Sequence, residues 1–305
     1  MSTSNKIEPI PPVPKDVLRR ILPCGNPFVT DANDIIGHLN KLSQILPFRY
    51  GWRFRTDESL KAEMEEITAT ATDALPANEL YWQDQLGNWE AYSLMNVWRV
   101  VDLARSCVWA LARQEVLCAS LLARSALETA AAFVDAARTV CATVSGPNRE
   151  GKPGIIHDRA NDLRTSFVVS EELELYSLKV IFASKLPEAE TIYNPTNIVT
   201  VITRISKIQS QEFILPTYGV LCETAHPNLL GRTLYLHRAE PGPWSGNELR
   251  TLGPGNGPTW HFLAEPIVAA LSWACGTQTS AFKLMAETIG SAKGWLTTAA
   301  TKALE

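Results

Sequence analysis

Between Val116 and Val134 the chain is almost unbroken hydrocarbon, and only Arg124 and Glu128 interrupt the run with charge. A helix that is apolar on all sides has to be surrounded by other elements. This stretch therefore predicts a protein assembled around a central helix, read as running from about Arg113 to Val144. Ahead of it, Leu94, Val97, Trp98, Val101, Ala104, Val108 and Trp109 fall on one broad helical face, while Arg99, Asp102 and Arg105 occupy another. No Gly or Pro separates the two segments, so the sequence leaves open whether Asn88–Val144 is one bent helix or two.

The flanking segments read mostly as helix. Ile7–Pro14 holds four prolines in eight residues and is expected to be extended. A short helix is expected over Asp31–Leu46, ending before Pro47. Thr56 or Asp57 can cap a helix to about Leu75, with Leu60, Met64, Ile67, Ala71 and Leu75 on one face and Pro76 as its stop. Ser145–Gly154 is a Gly/Pro loop, followed by a polar helix over Ile155–Phe167. Ser170 can cap Glu171–Lys185, whose Glu171 and Glu172 suit the first turn. Further helices are expected from Asn194-Pro195 to about Ile208 and from Gln211 to Ala225, the latter starting at Thr217 if Pro216 is not tolerated. Residues 229–257 are rich in Gly and Pro, and Arg232–Arg238 with Glu248–Leu252 could pair there as a small hairpin. Thr259–Ile289 returns to helix, with kinks expected near Pro266 and Gly276. The expected fold is all-α, a bundle of about six to eight helices with a small β-hairpin insertion. Residues 1–55 are expected to form an N-terminal arm packed on a single helical domain over 56–305.

Composition narrows the functional classes. The 28 Lys and Arg against 32 Asp and Glu leave a net charge of −4, which argues against a protein that coats nucleic acid through overall charge but allows a local basic site. No run of about 18 apolar residues is present, so no membrane partner is expected. Met1–Pro14 lacks an apolar signal core, and the six cysteines form no CxxC pair, so a reducing, cytoplasmic setting is expected. The five histidines lack ligand spacing with cysteine, and no metal or other cofactor is expected.

Several constellations could carry chemistry. Arg124 and Glu128 are four apart on one helix face; two unpaired charges in a central helix would be costly, so they should pair with each other or with a neighbour, and they could line a polar cavity. Glu223 and His226 are three apart, and a carboxylate beside an imidazole raises its basicity; the same His-Pro-Asn sequence also reads as a helix stop. Arg232 and His237 are five apart. His157, Asp158 and Asp162 could hold a metal only with a further histidine. Phe48, Arg49, Tyr50, Trp52, Arg53, Phe54 and Arg55 interleave aromatics with cations, as single-strand binders do, or form a packed loop with solvated arginines.

Two of these segments resemble a known group. Arg124, Ser125, Leu127 and Glu128 on an Ala-rich helix, with Tyr218, Leu221, Cys222, Glu223, His226, Pro227 and Asn228, resemble bacterial helical proteins allied to the HEPN-like superfamily. The resemblance spans roughly residues 90–230. It implies a helical bundle, often dimeric, in bacterial defence or toxin–antitoxin pairs. Active members cut RNA without metal, using an Arg, then four to six residues, then a His. No Arg precedes His226 at that spacing. The resemblance therefore implies a non-catalytic ligand- or partner-binding module, with RNA or a nucleotide at a local site, and a homo-oligomer or protein partner. The alternatives are a ribonuclease using His226 or His237 with Arg124 or Arg232, and a structural subunit of a larger assembly. The residues assigned to the site are Arg124, Glu128, Glu223 and His226.

Overall fold

The structure, a computed structural model, describes residues 7–21, 25–145, 162–186, 191–226, 228–238, 250–252 and 260–304. The described residues are predominantly helical, with more helical segments than the six to eight expected. The contacts gather the chain into two compact units, one of residues 1–48, 96–132 and 198–279, the other of residues 49–95, 133–197 and 280–305.

Three long helices contribute to both units: α5 (Leu75–Ala112), α6 (Val116–Val144) and α12 (Trp260–Leu304). The open question over Asn88–Val144 is thus resolved as two helices. The break falls at Gln114, which adopts φ +60° and directs the Glu115 N–H onto the Ala110 carbonyl at 2.8 Å. A left-handed residue at a helix end is usually Gly or Asn; with Gln in that place the stop is invisible to composition. The helix expected to run to about Leu75 ends at Thr70 instead, and Pro76 lies in the first turn of α5, where a proline gives up a hydrogen bond that the turn would lack anyway. Pro266 sits inside α12, which nonetheless continues to Leu304. By length and composition α6 is long and apolar enough to cross a membrane; half of its most apolar window is buried inside the fold, and core helices meet the same criterion.

The first unit also contains α1 (Lys15–Ile21), α2 (Pro27–Thr30), α3 (Ala32–Ile45), α9 (Ile198–Ile205), α10 (Ile214–Ala225) and α11 (Leu229–Thr233). Leu111, Leu127, Ile202, Ile214 and Trp273 are buried in it. Residues 7–14 carry no regular secondary structure, but Ile10 and Val13 are buried, and their N–H groups donate to the Asn40 and Asn33 side chains. α10 accommodates Pro216 in its first turn, so the helix starts before Thr217. Leu236–Arg238 pairs antiparallel with Arg250–Leu252, with Leu236 opposite Leu252. Arg232 and Thr233, read from sequence as strand, are instead the end of α11. Gly231 holds α11 against the end of α10: a Cβ there would stand 2.8 Å from the carbonyl oxygens of Thr224 and His226, so only glycine fits.

The second unit also contains α4 (Asp57–Thr70), α7 (Asp162–Thr165) and α8 (Glu171–Val180), with a 3-10 turn at Thr191–Tyr193. Thr56 and Ser170 cap α4 and α8 by accepting from the N–H groups of Ser59 and Leu173. The core gathers Trp82, Leu86, Trp89, Phe133, Leu173 and Met285. Of the polar helix expected over Ile155–Phe167, only Asp162–Thr165 is seen as helix, and its earlier part lies outside the described residues.

Candidate functional site

The Arg124–Glu128 spacing on α6 does what the sequence requires of it. Arg124 Nε donates to Glu128 Oε1 at 2.9 Å. The pair is half-buried, with 25% and 28% of the two side chains exposed, rather than sealed in the core. Tyr218 on α10 completes the arrangement: its hydroxyl donates to the same Glu128 oxygen at 2.9 Å, and the Arg124 guanidinium lies over its ring at 5.6 Å. Cys222 follows Tyr218 by one helical turn and lies close enough to bear on both.

These contacts fix the protonation states. Burial pushes the Tyr218 hydroxyl up, and the neighbouring Cys222 and Glu128 add to the shift, so it remains a donor. Burial opposes the charge on Arg124, but the hydrogen bond and charge of Glu128 outweigh it and hold the guanidinium protonated. Nε makes the bond to Glu128, so the terminal amino groups are not used in it. A guanidinium laid on an aromatic ring presents a rigid fork suited to a carboxylate or phosphate.

Glu223 and His226 are both exposed. Glu223 does not take His226 as its partner: its Oε2 accepts from Asn228 Nδ2 at 3.0 Å. The cause is local. His226 caps α10 with ψ 157°, which turns the chain and returns Asn228 to the last turn. Arg232 is exposed in α11, with its Nε directed at the Asn228 carbonyl. Of His237 only the backbone, in the strand pair, is described, and of Asp162 only the backbone in α7; His157 and Asp158 lie outside the described residues. Among the described residues no group of His, Cys, Asp and Glu could hold a metal ion.

No family model, curated protein or solved structure matches this chain. The site is therefore read from its own geometry.

Part of the aromatic–basic patch is engaged within the second unit: Tyr50 donates to Glu90, Trp52 Nε1 donates to Asn88, and Arg55 bonds both Glu63 and Asp84. Phe48, Arg49, Arg53 and Phe54 are exposed. Sequence reading missed a second feature of this unit, a cavity of about 770 Å³ between α4, the start of α5 and residues 167–174. Leu60, Met64 and Phe167 line it, with Tyr81 and Glu174 among its polar groups. Its only sequence signal is weak: α4 is amphipathic, yet none of its residues is buried.

Proposed function

We propose that the chain is a HEPN-like helical protein without catalysis of its own, acting in bacterial defence or stress response. It binds a phosphate-bearing ligand, a nucleotide or an RNA segment, at the Arg124–Glu128–Tyr218 face. One observation supports this reading most: the two segments that carry the resemblance, some ninety positions apart, touch through the Tyr218–Glu128 hydrogen bond. The arrangement favours binding over cleavage. Cutting at a ribose 2′-hydroxyl needs an imidazole and a cation aimed at one phosphodiester. Here the Nε of Arg124 is held by Glu128, and the Nε of Arg232 is directed at a backbone carbonyl.

Calorimetric titration with adenosine monophosphate tests the site. Saturable binding is expected, weakened about tenfold or more by Arg124→Ala, as for loss of a charge-assisted contact. Tyr218→Phe is expected to weaken it less, since Glu128 loses a donor but Arg124 keeps its ring. Absence of binding, or equal binding by wild type and Arg124→Ala, would overturn the assignment.

A further inference from the structure

The cavity of the second unit has a chemistry of its own, independent of the Arg124 face. At about 770 Å³ it is in the range of small-molecule sites. One side is apolar: Leu60 and Met64 come from α4, and Phe167 meets the Tyr81 ring edge-on at 5.9 Å. The charged groups in the lining are Asp57, Glu65 and Glu174 against the lone ammonium of Lys61, so the site is negative. Tyr81 is 4% exposed, and its buried hydroxyl lies beside the Glu174 carboxylate and the Ser170 backbone without forming a well-aligned hydrogen bond to either. A buried hydroxyl left unpaired is costly, and such groups are rare unless something else satisfies them.

We propose that this cavity binds a small organic cation with an apolar body. Its ammonium sits by Glu174 and donates to the Tyr81 oxygen, while its hydrocarbon lies against Leu60, Met64 and Phe167. The occupant follows from complementarity. An ammonium supplies donors to a carboxylate and to a phenolic oxygen, which has two acceptor positions. The aromatic rings offer faces that attract a cation. A carboxylate ligand would instead add a like charge to a site already negative. The Glu174 carboxyl is raised, first by burial and then by the charges of Asp57 and Glu171, with the Tyr81 hydroxyl pulling it partly back, and a bound cation would relieve that repulsion.

Three probes of one size separate the possibilities: 4-phenylbutylamine, 4-phenylbutanol and 4-phenylbutyrate, titrated into the full chain at neutral pH while the Met64 methyl resonance is followed. The amine is expected to bind and to shift Met64, with the butyrate weaker by about tenfold or more. Glu174→Gln should weaken the amine about tenfold and leave the alcohol within about twofold. Tyr81→Phe should weaken amine and alcohol alike, because both lose the phenolic partner. Should Tyr81→Phe not fold, the Glu174→Gln comparison still decides. Butyrate binding as tightly as the amine, an amine affinity unchanged by Glu174→Gln, or no binding of any probe at millimolar concentration would each overturn the proposal.

Discussion

Replacing Asn78 with leucine is expected to destabilise the protein by about 3–5 kcal/mol, although the side chains are of similar size. Asn78 is fully buried at the start of α5. Its Nδ2 donates to the carbonyls of Leu163 and Ser166 at 2.8 and 2.9 Å, and its Oδ1 accepts from the Val168 N–H at 2.7 Å. One amide thus satisfies three backbone groups of a segment nearly ninety residues away. Leucine leaves all three unpaired, each worth about 1–3 kcal/mol when buried, less what local rearrangement recovers. Asn78→Asp fares little better, since it keeps the acceptor but sets a carboxylate against two carbonyls. Urea unfolding checks the magnitude. Hydrogen exchange checks the cause, with the Val168 amide losing protection before the rest of the unit. The same segment carries Phe167 into the wall of the cavity, so Asn78 also positions that site.

Arg55→Ala is expected to cost a similar amount, about 3–5 kcal/mol at neutral pH, as is usual when one partner of a buried pair is removed. Arg55 Nη1 lies 3.2 Å from Asp84 Oδ1, and the two side chains are only 11% and 5% exposed. Burial raises the Asp84 carboxyl above its usual range, with Arg55 and Asn88 pulling it partly back. Without Arg55 only the Asn88 amide, at 3.1 Å, remains to support the charge. The pH dependence has a definite sign. A carboxyl whose folded-state pKa is raised takes up a proton more readily folded than unfolded, so stability rises as pH falls through that range. The deficit of Arg55→Ala is therefore expected to shrink at mildly acidic pH. Arg55→Met combined with Asp84→Leu should lose less than Arg55→Ala, because no buried charge is stranded.

What the sequence discloses about this fold follows from short-range physics. The apolar run of α6 announces a central helix, and the polar residues at Thr56 and Ser170 announce two helix starts through hydrogen bonds spanning three residues. The Arg124–Glu128 contact is legible because four residues is one helical turn. The pairing of Glu223 with His226 follows the same rule and still does not form, because the turn of the chain after His226 supplies Glu223 with Asn228. The end of α5 is hidden because Gln114 takes a conformation usually left to glycine. Asn78, Tyr81 and Glu174 are hidden for another reason: their importance lies in what distant segments bring to them. An asparagine on a helix carries no sign that three backbone groups of a remote loop depend on it.

The proposed binding at the Arg124–Glu128–Tyr218 face, without cleavage, is checked by incubating the protein with end-labelled single-stranded RNA in chelator and resolving both retention and product length. Full-length RNA is expected, retained by wild type and by His226→Ala and released by Arg124→Ala. RNA shortened by wild type but left intact by His226→Ala would refute the proposal, as would RNA that wild type does not retain.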